Sequence, residues 1–164
     1  MNKSVYVETT VFSFYHDERT STAVVAMREW TREWWDAYRP GYDVATSTAV
    51  IAELDTGQLP HRQQSHAMAL EVPAIGVDDA IQEIVAVYIG HHVMPADPLG
   101  DALHLALASF HKFDYLLTWN CAHLANANKF GHIRRVNAIL GLHTPDLVTP
   151  LELMGRKEES DDRN

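Results

Sequence analysis

Short apolar runs alternate with helical runs along almost the whole chain, and that alternation limits the fold more than any other feature of the sequence. Residues 4–8 (SVYVE), 43–46, 72–77 (VPAIGV), 115–119 (YLLTW) and 147–148 read as strands, being short, apolar and bounded by breakers. Between the first two, Val24, Met27, Trp30, Trp34 and Tyr38 recur at three- and four-residue steps, and Arg39-Pro40-Gly41 stops the run, which predicts a helix over 21–38. Ser47 or Thr48 can cap a helix carrying Val50, Ile51 and Leu54. Residues 60–70 read as a polar helix, and Asp78 caps another that runs to Ile89. After the breaker-rich loop 94–100, residues 101–111 (DALHLALASFH) form the strongest helical segment, and 122–129 and 133–140 are helical too. Strands separated by helices pair in parallel through crossovers rather than as hairpins. The expectation is an α/β fold, a three-layer α/β/α domain with a central parallel sheet over residues 1–154. Residues 155–164 are expected to be a charged, disordered tail, since 156–164 (RKEESDDRN) holds four acids in nine positions.

The 164 residues suit one domain with a real core. A single cysteine, Cys121, excludes an internal disulfide and fits a reducing cytoplasm. The start, MNKSVYVETT, reads directly as a strand rather than as an apolar leader, and no run approaches the ~18 apolar residues that span a bilayer. The expectation is a cytoplasmic protein with no membrane partner. The net charge of −9 counts against tight non-specific binding to nucleic acid. A metal site softens that conflict, because it gathers carboxylates and its ion reverses the local sign.

Four polar residues fall at strand ends or helix starts. Glu8 ends the first strand, Glu53 lies on the helix after the second, Asp101 opens the strongest helix, and Asn120 follows YLLTW. In a parallel α/β sheet such positions gather beyond the carboxyl ends of the strands, where ligands bind. Hard divalent cations want oxygen ligands, and Mg²⁺ commonly takes one or two carboxylates with water and phosphate. Singly each residue has a plainer role: a polar strand end, a solvated helix residue, a first-turn acid favoured by the helix dipole, a turn amide. Their joint placement is what makes a site.

These residues carry a resemblance. The chain resembles PIN-domain proteins, in particular the VapC-type toxins of toxin–antitoxin pairs, through VYVETTVFSFY, STAVIAEL and GDALHLALASFHKFDYLLTWNCAHLAN, spanning Val5 to Asn126. The resemblance implies a PIN-like fold and hydrolysis of RNA phosphodiester bonds with Mg²⁺ or Mn²⁺. Glu8, Glu53 and Asp101 become the metal-binding acids, Asn120 stands where many members carry a fourth acid, and Thr10 supports the first acid. Partners implied are the RNA substrate, a cognate antitoxin protein and a second copy in a homodimer. Two residues depart from the pattern: the first acid is Glu8 where Asp is usual, and the fourth position is the neutral Asn120. A catalytically weakened PIN-fold module that binds RNA or protein is therefore the alternative to an active ribonuclease.

Other residues have lesser readings. Asp97 is a further acid in the loop before Asp101, with loop capping as its plainer role. His123 follows the TWN segment and can contact substrate. His104, one turn after Asp101, reads as structural. Trp30 and Trp34 read as packing residues, while Trp35 lies off their stripe and is expected at an exposed interface. A phosphatase with a covalent aspartyl intermediate would want a DxD start, and here that stretch is Glu8-Thr9-Thr10.

Overall fold

A computed structural model describes residues 1–58, 61–97 and 99–163. Five strands form one all-parallel sheet: β1 (Ser4–Val7), β2 (Asp43–Ser47), β3 (Ala74–Ile75), β4 (Tyr115–Leu117) and β5 (Asp146–Val148), in the order β3-β2-β1-β4-β5. Helices flank the sheet, giving the three-layer α/β/α architecture that the alternation predicts. The central strand β1 has Val5, Tyr6 and Val7 fully buried, as a strand covered on both faces requires.

One group of helices comprises α1 (Thr9–Tyr15), α2 (Thr22–Glu33), α3 (Thr48–Thr56) and α4 (Arg62–Leu70), which pack on one another. A second comprises α5 (Asp79–Gly90), α6 (Asp101–Phe110) and α7 (Ala127–Leu140). Within it α5 packs on α6, and Asn137 of α7 accepts from the Tyr88 hydroxyl of α5 at 2.5 Å and donates to Ser109 of α6 at 3.1 Å. α6 is buried on every side from Ala102 to Ser109, so the strongest helical pattern in the sequence is also the most enclosed helix.

The caps expected at Ser47 and Asp78 are present, accepting from the backbone N–H of Val50 and Ile81. Several boundaries differ from expectation. The segment 72–77 contributes only the two residues of β3. Pro60, expected at the head of α4, lies outside the described residues. The two helices expected over 122–129 and 133–140 are one, α7, which runs through Gly131 and starts after Asn126, whose side chain accepts from the Asn128 N–H. Burial of Ile133, Val136 and Asn137 outweighs the roughly 1 kcal/mol that a mid-helix glycine costs.

Trp35 is a correction. It is 6% exposed and packs edge-on against Phe12, beside the fully buried Trp34. After α2 the chain widens into a π-helical turn over Trp34–Tyr38, and this changes the angular spacing that the 3.6-residue period assumes. Two adjacent indoles thus both turn inward.

The charged tail is the other correction. A helix α8 covers Pro150–Asp161 and takes in most of the segment expected to be disordered. Thr149 and Glu152 cap its start reciprocally: the Glu152 N–H donates to Thr149 Oγ1 at 3.2 Å, and Glu152 Oε1 accepts from the Thr149 hydroxyl at 3.0 Å. Leu153 and Met154 are buried, and α8 packs on α2 and the π-helical turn.

Candidate functional site at the carboxyl ends of β1 and β4

The strand order reverses between β1 and β4: chain order runs outward from β1 through β2 to β3, then returns to β4 and β5 on the other side. In such sheets the crevice beyond the strand ends at the reversal is where ligands bind. The register pairs Val7 with Leu117. Glu8 and Thr118, one residue further on each strand, therefore meet.

Glu8 is 4% exposed and caps α1. Its Oε2 accepts from the Thr10 N–H at 3.0 Å, from the Thr10 hydroxyl, and from the Thr118 hydroxyl at 2.8 Å. Burial pushes its carboxyl pKa up, against the opposing pull of the His104 charge and of the hydrogen bonds from Thr10 and Thr118. Thr10 also accepts from the Trp119 N–H at 2.9 Å, so one hydroxyl ties the loop after β1 to the loop after β4. The supporting role expected of Thr10 thus has a geometry.

Asn120 donates from Nδ2 to Asp101 Oδ1 at 2.9 Å, while its Oδ1 accepts from the His123 N–H at 3.0 Å. Thr118 accepts from the Asn120 N–H at 2.9 Å. An unbroken chain therefore runs from Glu8 through Thr118 and Asn120 to Asp101. His123 sits at its edge, with Nδ1 3.3 Å from Lys129 Nζ.

Glu53 reaches the same region from α3. Its Oε2 accepts from the Thr9 hydroxyl at 2.7 Å, and its Oε1 is 2.8 Å from His104 Nε2. His104 is 1% exposed, and its Nδ1 lies 2.8 Å from the Tyr6 hydroxyl, itself 2.8 Å from Ser47 Oγ. Burial on its own would lower the His104 pKa. The Glu53 hydrogen bond and the charges of Glu8, Glu53 and Asp101 overcome this and leave it raised. All three acids thus act on one buried imidazole, so they converge although 93 residues separate the first from the last.

The structure brings together Glu8, Thr10, Glu53, Asp101 and Asn120, with His123 adjoining. It does not bring in Asp97, which is exposed and whose Oδ1 accepts from the Leu99 N–H at 3.0 Å, the loop-capping role. Sequence reasoning missed Tyr6, Thr9 and Thr118, and it gave His104 no part in the site. The one available signal was hydroxyls beside a strand-end acid, in ETT and in LLTWN.

The donor chemistry suits a hard cation in part. Among the described residues, Glu8 Oε1 and Asp101 Oδ2 accept no hydrogen bond. The buried polar atoms without partners there are His16 Nε2 and Trp34 Nε1, so neither carboxylate oxygen is sealed. Two carboxylates that each keep one unbonded oxygen match in number what Mg²⁺ commonly takes from protein, the rest being water and phosphate. Both Glu53 oxygens are engaged, and among the described residues no group of three or more His, Cys, Asp or Glu side chains is placed to hold a metal ion.

No protein-family model matches this chain, and no curated protein matches it either.

Proposed function

We propose that the protein is a divalent-metal-dependent endoribonuclease of the PIN-like, VapC-like type, the toxin of a toxin–antitoxin pair. The observation that supports it is the meeting of Glu8, Glu53, Asp101 and Asn120 at the reversal of strand order: Glu8 is joined to Asp101 through Thr118 and Asn120, these two acids each keep one oxygen that accepts no hydrogen bond among the described residues, and Glu53 lies beside them on His104. Glu8 and Asp101 would hold Mg²⁺ or Mn²⁺ directly, with Glu53 as the third acid after release from Thr9 or His104. The ion supplies a water of lowered pKa and offsets the charge that develops on the scissile phosphate. Thr10 and Thr118 hold Glu8 in place, Asn120 orients Asp101, and His104 holds Glu53. The same reading gives the chain a cognate antitoxin, a homodimeric state and a cytoplasmic setting. No helix among the described residues is long and apolar enough to cross a membrane.

A second reading is favoured by a specific observation. Both Glu53 oxygens are taken, and the Asn120 amide is spent on Asp101 and His123. A site so internally satisfied suits a PIN-fold module that binds RNA or a protein without cutting.

Incubating purified protein with a mixed set of structured RNAs in Mn²⁺, Mg²⁺ or EDTA separates the two. The nuclease reading expects cleavage in either metal, none in EDTA, and a loss of at least about a hundredfold in Asp101→Asn, the order seen when a transition-state contact is removed. Cleavage that persists in EDTA or in Asp101→Asn would rule out this chemistry. Folded wild type that cuts nothing favours the binding module.

A further inference from the structure

Three aromatic rings crowd one side of the acidic cluster. Trp119 lies between Thr118, which binds Glu8, and Asn120, which binds Asp101. Its ring stacks on Trp30, with centroids 6.3 Å apart and planes 25° from parallel, and Phe14 lies 6.1 Å away, tilted. The indole Nε1–H donates to the buried Thr31 hydroxyl at 2.7 Å, and the backbone N–H is held by Thr10, so the ring is fixed at both ends. All three rings are only half buried. Among the described residues the hydrophobic core takes in Trp30 but neither Phe14 nor Trp119. The indole is thus held rigid against Trp30 and Thr31 while part of it stays exposed, one residue from two site residues.

We propose that Trp119, backed by Trp30, is a stacking platform for one unpaired nucleobase of the RNA that enters the acidic cluster. The proposal rests on the ribonuclease reading and names what that site recognises. Every base offers a π-face, so stacking is tolerant of sequence. A base can reach the indole only if it is splayed out of a duplex. The charge balance points the same way. On a chain of net charge −9, flat aromatic contact is a source of affinity for RNA that does not depend on surplus cations. Lys129 is joined to Asn120 through His123, which brings a cation to the edge of the same cluster.

The tryptophans themselves report on this. Trp34 and Trp35 are buried, so a ligand at the surface can quench only Trp30 and Trp119. Asp101→Asn protein in EDTA is titrated with a hexamer of adenylate and, separately, with an abasic ribose-phosphate hexamer of equal charge. Expected is quenching by the adenylate hexamer alone, with binding weakened about tenfold or more in Trp119→Leu and less in Trp119→Phe. The salt dependence should be shallow. Circular dichroism checks that each variant is folded, and Trp119→Phe, which keeps a ring in place, stands in if Trp119→Leu is not. Equal binding of the abasic hexamer, or binding unchanged in the folded variants, would overturn the platform. Because the readout needs no cleavage, quenching without nuclease activity would sink the enzyme and keep the platform, whereas cleavage without base-dependent binding would do the reverse.

Discussion

Glu8 is a carboxylate taken out of water and held by three hydrogen bonds to one oxygen. Burial raises its pKa in the folded chain despite those bonds and the nearby His104 charge. The sign follows from linkage: an acid whose pKa is raised on folding binds protons more readily when folded, so ionising it costs stability. That cost is absent below the ordinary carboxylate pKa and complete above the folded one. Glu8→Gln, which keeps an accepting oxygen but cannot ionise, should match wild type in thermal melts near about pH 4 and become the more stable protein as the pH rises toward neutrality, in EDTA. A variant less stable by a constant amount at every pH would mean that the hydrogen bonds, not desolvation, govern this position. The sequence marked Glu8, Glu53, Asp101 and Asn120 because strand ends and helix starts are local signals. It could not reveal Tyr6–His104–Glu53, whose members come from three distant stretches and meet only when α3 and α6 close on β1. A histidine on the enclosed face of an apolar helix looks structural until its partner is known.

At the scale of elements, the misread segments are those where a compositional impression outvoted a local one. The acid-rich end of the chain suggested disorder, yet Thr149-Pro150-Leu151-Glu152 carries a capping box with proline at the first helical position, a strong start signal. The structure uses it, and two buried side chains then anchor the helix. Thr149→Ala should therefore cost about 1 kcal/mol, read as a lower urea midpoint with an unchanged slope. Unchanged stability would show that Leu153 and Met154 hold α8 without the cap. The π-helical turn at Trp34–Tyr38 is different in kind. No local residue announces the extra residue per turn, and the burial of Trp34 and Trp35 behind α1 and α2 selects it.

At the scale of the molecule, alternation of strands and helices was enough to give a parallel three-layer fold, whereas strand order was not, because nothing local says that β4 returns to the far side of β1. That return makes the site: Glu8 and Thr118 meet only if β1 and β4 are neighbours, and Glu53 arrives from α3, the helix that follows β2 on the other flank. A ligand bridging these elements binds the folded chain and has no counterpart in the unfolded one, so its binding energy adds to global stability. With free Mn²⁺ at about 100 times its dissociation constant the gain is about 2.7 kcal/mol. At about 2–4 °C per kcal/mol for a domain of this size, the melting temperature should rise by about 5–10 °C. Glu8→Gln and Asp101→Asn should each lose most of that rise. Thr149→Ala should melt lower and keep it, since its defect lies away from the acids. A rise of equal size in Asp101→Asn would place the ion elsewhere on this acidic surface and leave the cluster at β1 and β4 as a purely structural network.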